Sequence, residues 1–301
     1  MKTILVLLLF IIVSVSFGQN GPKNSYYENG KLKSEEHYHS GKPDGICKYY
    51  SETGILMENV NYSLGNKDGE DYIYYPVGVL KEFYTYKNNS LNGNFRTYFP
   101  EGQLKESGGY TSGLMDGIFK SYYETGGQKS EYSFVKGKKE GTSREYFVNG
   151  NLMSEANFNN DMQEGVQNWY YEEGKLKSEY NFRNGSMSGP AKEYFQNGKV
   201  MAEKNLANNY LEGLNKYYYE NGTLKSEINF KNGEKTGNAK SYYEDGTLWT
   251  DQKYDEDKLD GETKIYRKDK SLWYIEKYEE GKLKSSKEFS EKGNVVSEKN
   301  Y

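Results

Sequence analysis

The chain has 301 residues, and its 40 Lys and Arg are interleaved with 44 Asp and Glu along the whole length. This excludes the net basic patch that binding to a phosphate backbone requires, and with it a nucleic-acid partner. Only 35% of residues are apolar while tyrosine supplies 32 and glycine 33, so an aliphatic core is excluded and aromatic side chains must provide the buried surface. A single cysteine, Cys47, excludes an internal disulfide.

The first segment, MKTILVLLLFIIVSVSFGQN, has a basic start at Lys2, an apolar run from Ile4 to Val15 and small residues at Ser16 and Gly18. That order predicts a secretory signal peptide over residues 1–18, because the apolar run is too short to span a bilayer and small residues mark the cleavage site. The mature chain is then expected to begin at Gln19 and to be exported: periplasmic, on the cell surface or secreted.

From Gly21 onward glycine recurs every 24 residues as far as Gly261, and a second series runs from Gly30 to Gly246 with Lys270 in its eleventh place. A third series from Gly41 to Gly281 is replaced only by Asn89, Asp161, Asn209 and Asp257, the residue types that tolerate a left-handed backbone. The third series is therefore expected at turns with positive φ. Four residues before each second-series glycine stands a tyrosine, without exception from Tyr26 to Tyr266. Beside it runs a second aromatic column (Tyr27, Tyr75, Phe99, Tyr123 and onward). A leucine follows two residues after the glycine, and another aromatic eight residues after it.

Short aromatic-rich runs bounded by Asn-Gly or Asp-Gly predict β-hairpins, here with a two-residue type I′ turn at Asn29-Gly30 and its equivalents. In that register Lys120 faces Glu131, Arg144 faces Glu155, Lys192 faces Glu203, Lys216 faces Glu227 and Lys240 faces Asp251. Where the cation is replaced by Tyr72, the acid is replaced by Phe83, and such co-change is what cross-strand neighbours require. The same register sets each late aromatic over a first-series glycine, as Phe134 over Gly117, where a ring is expected to cover the missing side chain. It also sets Lys, Met or Trp opposite every unbroken tyrosine. The leucines, second aromatics and glycine-covering rings then form an apolar face, and the tyrosines with their charged pairs form the other. The expected fold is all-β: an elongated antiparallel sheet of tandem 24-residue hairpins over residues 19–301, about 22 strands, capped by a terminal half-repeat in the last thirteen residues.

The recurring YYENGKLKSE pattern, followed by a further aromatic and spaced glycines, resembles the MORN repeat variant, and in particular the YwqK-type antitoxin family. The resemblance implies a non-catalytic array. Its members are implied to act as scaffolds, self-association modules, lipid binders or, for the YwqK type, toxin-neutralising proteins.

An active site is local, whereas almost every residue here belongs to a repeating column. His37 and His39 read as exposed side chains and Cys47 as a small packed hydrophobe. No catalytic, metal or cofactor residues are assigned, and the chain is expected not to be an enzyme. The expected function is that of an exported scaffold binding a partner protein or cell-envelope component; neutralisation of a toxin is the alternative. Trp249 and Trp273 depart most from the Lys/Met column, so Tyr242, Trp249, Tyr266 and Trp273 are the candidate contact residues.

Overall fold

The computed structural model describes residues 18–301, so the predicted signal peptide, Gly18 apart, lies outside the described residues. Among these residues there is no helix, and every one of the 31 strands is paired antiparallel. The chain divides into two compact units, Met1–Met115 and Asp116–Tyr301. Within each, strands pair in chain order. In the first, Gly21–Tyr26 pairs with Leu32–His39, which pairs in turn with Gly45–Tyr50, and so on to Leu104–Thr111. In the second the succession runs from Gly117–Tyr122 to Val295–Asn300. Seven strands are two-residue pieces such as Lys138–Lys139 that precede a main strand; in Asn66–Tyr74, Ser186–Tyr194 and Glu234–Tyr242 the two are continuous. The described residues therefore form twelve hairpins, one more than expected. The terminal half-repeat is a complete hairpin, Lys282–Phe289 with Val295–Asn300.

The turn after each leading strand differs from the expected type I′. Gly126 N–H donates to the Tyr123 carbonyl at 2.9 Å and Tyr123 N–H to the Gly127 carbonyl at 2.8 Å, and Gly126 is the loop residue with positive φ, +89°. This is a three-residue loop closed by a left-handed glycine. Asparagine is used here for its side chain rather than its φ. Asn149 Oδ1 accepts from Asn151 N–H at 2.9 Å, and its Nδ2 donates to the Glu172 carbonyl of the next hairpin at 3.1 Å. The type I′ turn lies at the other end of the hairpin, where Lys136 (φ +50°) and Gly137 (φ +80°) join the paired residues Val135 and Lys138. The third glycine series thus has the positive φ expected of it.

A three-residue loop moves the register by one, so Tyr122 faces Gln128. Lys129 then bulges out of the ladder and the register moves back, leaving Ser121 opposite Ser130 and Lys120 opposite Glu131. Beyond the bulge the expected pairs stand: Arg144 with Glu155, Lys192 with Glu203, Lys216 with Glu227, Lys240 with Asp251, and Tyr72 with Phe83 at 5.0 Å between rings. Next to the loop the expectation fails. Each unbroken tyrosine faces the leucine position, as Tyr242 faces Leu248, and the Lys, Met or Trp column is the bulge. The leucines therefore share the tyrosine face.

The buried face is one side chain deep. Its most enclosed column holds Cys47, Asp71, Phe95, Ser143, Gln167, Ala191, Asn215, Ala239 and Thr263, with Val60, Ala156, Phe182 and Phe230 from the facing strands. Rings pack on one another along this face: Tyr84 stacks on Phe95 at 6.0 Å, and Trp169 meets Tyr180 edge-on at 5.7 Å. Cys47 is fully buried, as a packed hydrophobe should be, and burial pushes its thiol pKa up.

The first glycine series is not kept small by a ring. Phe134 does face Gly117, but a side chain at Gly117 would meet nothing within 4 Å; what glycine supplies is φ +92°. The next member of the series, Gly141, sits in a second bulge, where pairing passes from Phe134–Lys139 to Glu131–Arg144. At the equivalent bulges the side chains of Asn181, Asn205 and Asn229 donate to the Pro190, Leu214 and Asn238 carbonyls at 2.6, 3.0 and 2.9 Å.

On the outer face four of the unbroken tyrosines tie their hairpin to the one before, the first of them Tyr50, which donates to Glu35 at 3.0 Å. Tyr194, Tyr218 and Tyr242 donate to Glu179, Glu203 and Glu227 at 2.9, 2.8 and 2.9 Å. Burial, and then the hydrogen bond to a carboxylate, pushes these three phenols up to about 12. A phenol that ionises near pH 10 when unfolded and only near 12 when folded stabilises the fold fully below pH 10, and that contribution is lost as pH rises toward 12. The melting temperature is accordingly expected to fall steeply between pH 10 and 12. A Tyr194→Phe, Tyr218→Phe, Tyr242→Phe variant followed by circular dichroism should be less stable at pH 8 and show a flatter alkaline fall; an equally steep fall would contradict the assignment.

Leu64 occupies the first position of a type I′ turn at φ +47° and is 56% exposed, where other copies carry Asn88, Asn160, Asn184, Asn208 and Asn232. A left-handed leucine costs on the order of 1 kcal/mol that asparagine largely avoids. Leu64→Asn is therefore expected to raise stability by about 1 kcal/mol in denaturant unfolding; a destabilised variant would show that Leu64 has a packing role.

Candidate functional site

A residue squeezed out of the ladder is free to lie elsewhere, and in five hairpins it is a lysine that lies over the second aromatic of its own turn. Lys33, Lys105, Lys129, Lys177 and Lys225 hold their ammonium groups 5.7, 5.9, 5.8, 5.7 and 5.6 Å from the ring centroids of Tyr27, Phe99, Tyr123, Tyr171 and Tyr219. These are cation–π distances. The aromatics are themselves anchored: Tyr27, Tyr75, Tyr123, Tyr171, Tyr219 and Tyr243 each donate through Oη to the carbonyl of the unbroken tyrosine in the following hairpin. The result in each unit is a regular series of exposed, ring-backed side chains beside the turns.

The tenth and eleventh hairpins alter this series. Trp249 lies against Tyr243, with centroids 5.8 Å apart and planes at 37°, and Lys268 sits 5.6 Å from the same tyrosine ring. Trp273 has the Arg267 guanidinium 5.1 Å from its ring and Tyr274 at 5.1 Å. Arg267 also donates to the Phe289 carbonyl at 2.6 Å, taking over the anchoring task of the tyrosine hydroxyl. Both indoles remain accessible, Trp249 at 45% and Trp273 at 37%. In the same two turns Asp245 Oδ1 accepts from Thr247 N and Oγ1 at 2.9 and 2.6 Å, and Asp269 Oδ1 from Ser271 N and Oγ at the same distances. Those hydroxyl and backbone donors hold both exposed carboxylates below the usual range.

Of the expected contact residues, Trp249 and Trp273 stand at the surface but not opposite Tyr242 and Tyr266. Tyr242 faces Leu248 and gives its hydroxyl to Glu227; Tyr266 faces Leu272 and receives the Tyr243 hydroxyl on its carbonyl. The residues that accompany the indoles are Tyr243, Arg267, Lys268, Tyr274 and the two aspartates. Arg267 in an otherwise mostly aromatic column, and aspartate beside tryptophan in two successive copies, were the available signals.

A second departure from the repeat lies in the first unit. Lys67 donates to Asp71 at 2.7 Å and Glu58 at 2.9 Å, and Asp71, whose side chain is 1% exposed, leaves Oδ1 without a partner. Burial raises the Asp71 pKa. The cluster joins the second hairpin to the third around the buried Asp71. His37 and His39 are exposed, and among the described residues no group of three His, Cys, Asp or Glu could hold a metal ion.

No curated protein matches the chain. Among solved structures, the crystal structure of TcdB2-TccC3 is 13% identical with a TM-score of 0.19, covering 93% of this chain and 16% of that one. The Photorhabdus luminescens Tc holotoxin pore is 14% identical with the same TM-score and coverage. This chain therefore spans a small fraction of those proteins, and at such TM-scores neither likeness carries an argument. The MORN repeat variant matches nine times, over residues 19–40, 43–63, 91–111, 115–136, 139–160, 163–184, 187–208, 211–232 and 235–256. The unmatched third, eleventh and twelfth hairpins, the first two of which carry the Tyr72–Phe83 pair and Lys270, have the same loop and bulge. With that geometry in every copy and matches over most of its length, the chain belongs to the MORN repeat variant family.

Proposed function

We propose that this repeat scaffold is an exported, non-catalytic binding protein that engages a partner protein or other cell-envelope component through the side chains bulged out beside its turns. The observation that carries this reading is the series of exposed, aromatic-backed residues that the bulges supply at Lys33, Lys105, Lys129, Lys177, Lys225 and Trp249. Individually weak contacts repeated along an array gain strength from simultaneous engagement. The tryptophans of the tenth and eleventh hairpins offer the largest contact area, which makes that region the centre of the surface. The non-catalytic reading rests on the repeat itself, since almost every residue belongs to a repeating column whereas an active site is local. Export rests on the sequence of the first eighteen residues and is checked by the intact mass of the secreted protein, expected to start at Gln19.

In a capture experiment on the envelope fraction, Trp249→Ala with Trp273→Ala should lower recovery of the partner at least tenfold with an unchanged melting temperature. Capture equal to that of the unmodified chain would overturn this surface assignment. The toxin-neutralising role implied by the YwqK-type resemblance predicts instead that the chain, kept in the cytoplasm, rescues cells from a toxin encoded beside it.

A further inference from the structure

We infer that the Trp249 and Trp273 surface binds a neutral, extended, β-1,4-linked glycan. The inference rests on the binding role proposed above and names the chemistry of the ligand. The two indoles occupy the same column of successive hairpins, and each hairpin adds two strands at about 4.8 Å each, so equivalent positions recur about every 10 Å. In an extended β-1,4-linked chain each sugar is turned over relative to the last, so the same face returns at every second sugar, after closely this length. The axial C–H face of a pyranose is the part that lies flat on an indole. An extended peptide strand fits less well, because its side chains return to one face about every 6.8 Å.

Charge narrows the choice further. Lys268 stands over Tyr243 and Arg267 over Trp273, so an incoming cation would meet positive charge at the rings that would otherwise attract it. A polyanion would meet Asp245 and Asp269, which are exposed in the two turns concerned; the equivalent turn position is aspartate in no other copy. A neutral ligand rich in hydroxyls satisfies both sets: its hydroxyls donate to the aspartates and accept from the lysine and the guanidinium. A polyproline helix has a repeat of about 9.3 Å, close to the indole spacing, but its prolines have no N–H to offer the carboxylates. The indoles are also held in advance by Tyr243 and by Arg267 with Tyr274, so little freedom is lost on stacking.

The test uses residues 19–301 with cellohexaose and chitohexaose, followed by calorimetry and tryptophan fluorescence. At least one hexamer should bind, and its disaccharide should bind at least tenfold more weakly because it spans one indole only. Trp249→Ala and Trp273→Ala should each weaken hexamer binding at least tenfold without moving the melting temperature, and the α-1,4-linked maltohexaose, whose chain curves, should not bind. Failure of both β-1,4 hexamers to bind, hexamer binding indifferent to the two substitutions, or binding of a proline decamer in their place would overturn the inference. If the substitutions abolish capture of the envelope partner while no hexamer binds, the glycan assignment falls and the proposed binding role stands.

Discussion

Each hairpin turns on two irregularities of one residue that cancel. The loop holds three residues where a tight turn would hold two, and the following strand gives up one residue as a bulge, so Lys120 still meets Glu131 and Arg144 still meets Glu155. Most of the array follows from that compensation. Because the far register is restored, charges pair across strands on the outer face and small residues meet across the inner one. Because the restoration happens beside the loop, one side chain per hairpin leaves the ladder there, and in six hairpins it settles on the aromatic ring of its own turn. The unbroken tyrosine, which faces the leucine position, reaches across to the preceding hairpin with its hydroxyl at Tyr50, Tyr194, Tyr218 and Tyr242.

The period, the hairpins and the far register were legible in the sequence because they rest on relations between columns: a cation that changes together with its acid, an aromatic pair where both are lost. The turn was not, because a two-residue turn and a three-residue loop followed by a bulge predict the same far pairs. Asn-Gly did not decide between them either. Its asparagine acts through side-chain bonds, as at Asn149, and those leave no mark on the pattern of pairs. At the opposite end, asparagine, aspartate and glycine alternating in one column reported the backbone directly, and φ is positive there in every copy. Of the candidate site, the indoles could be read as departures from a rule. Their neighbours could not, since Tyr243 and Arg267 meet them only through the bulge.

The innermost column shows why composition was a poor guide to the core. It buries Cys47, Phe95, Ala191 and Asn215 alike, and at Phe95 the cover is local, from Tyr84 of the preceding hairpin and Tyr110 of its own. A polar member needs only a local answer. Asn215 donates to the Gly213 carbonyl at 3.0 Å and accepts from Asn205 N–H at 2.9 Å, and Asp71 shares Lys67 with Glu58. Burying a charged carboxylate without such a partner would cost several kcal/mol, of the same order as the whole stability of a domain. Asp71 therefore needs Lys67, although lysine also stands in that column at Lys139 and Lys235, with Ser143 and Ala239 in place of the aspartate.

The same locality separates folding from recognition. A residue inside a ladder is constrained by its partner across the strand, so changing it calls for a second change, as Tyr72 and Phe83 illustrate. The bulge residue has no such partner. It needs only a stem, thioether or ring that can rest on an aromatic surface, a condition that lysine, methionine and tryptophan all meet. Substitution at this position can alter what the surface offers while leaving register, turn and core unchanged. A tryptophan in two successive copies is a change of this kind, made where the fold exerts least control and where an extended ligand would meet both rings at once.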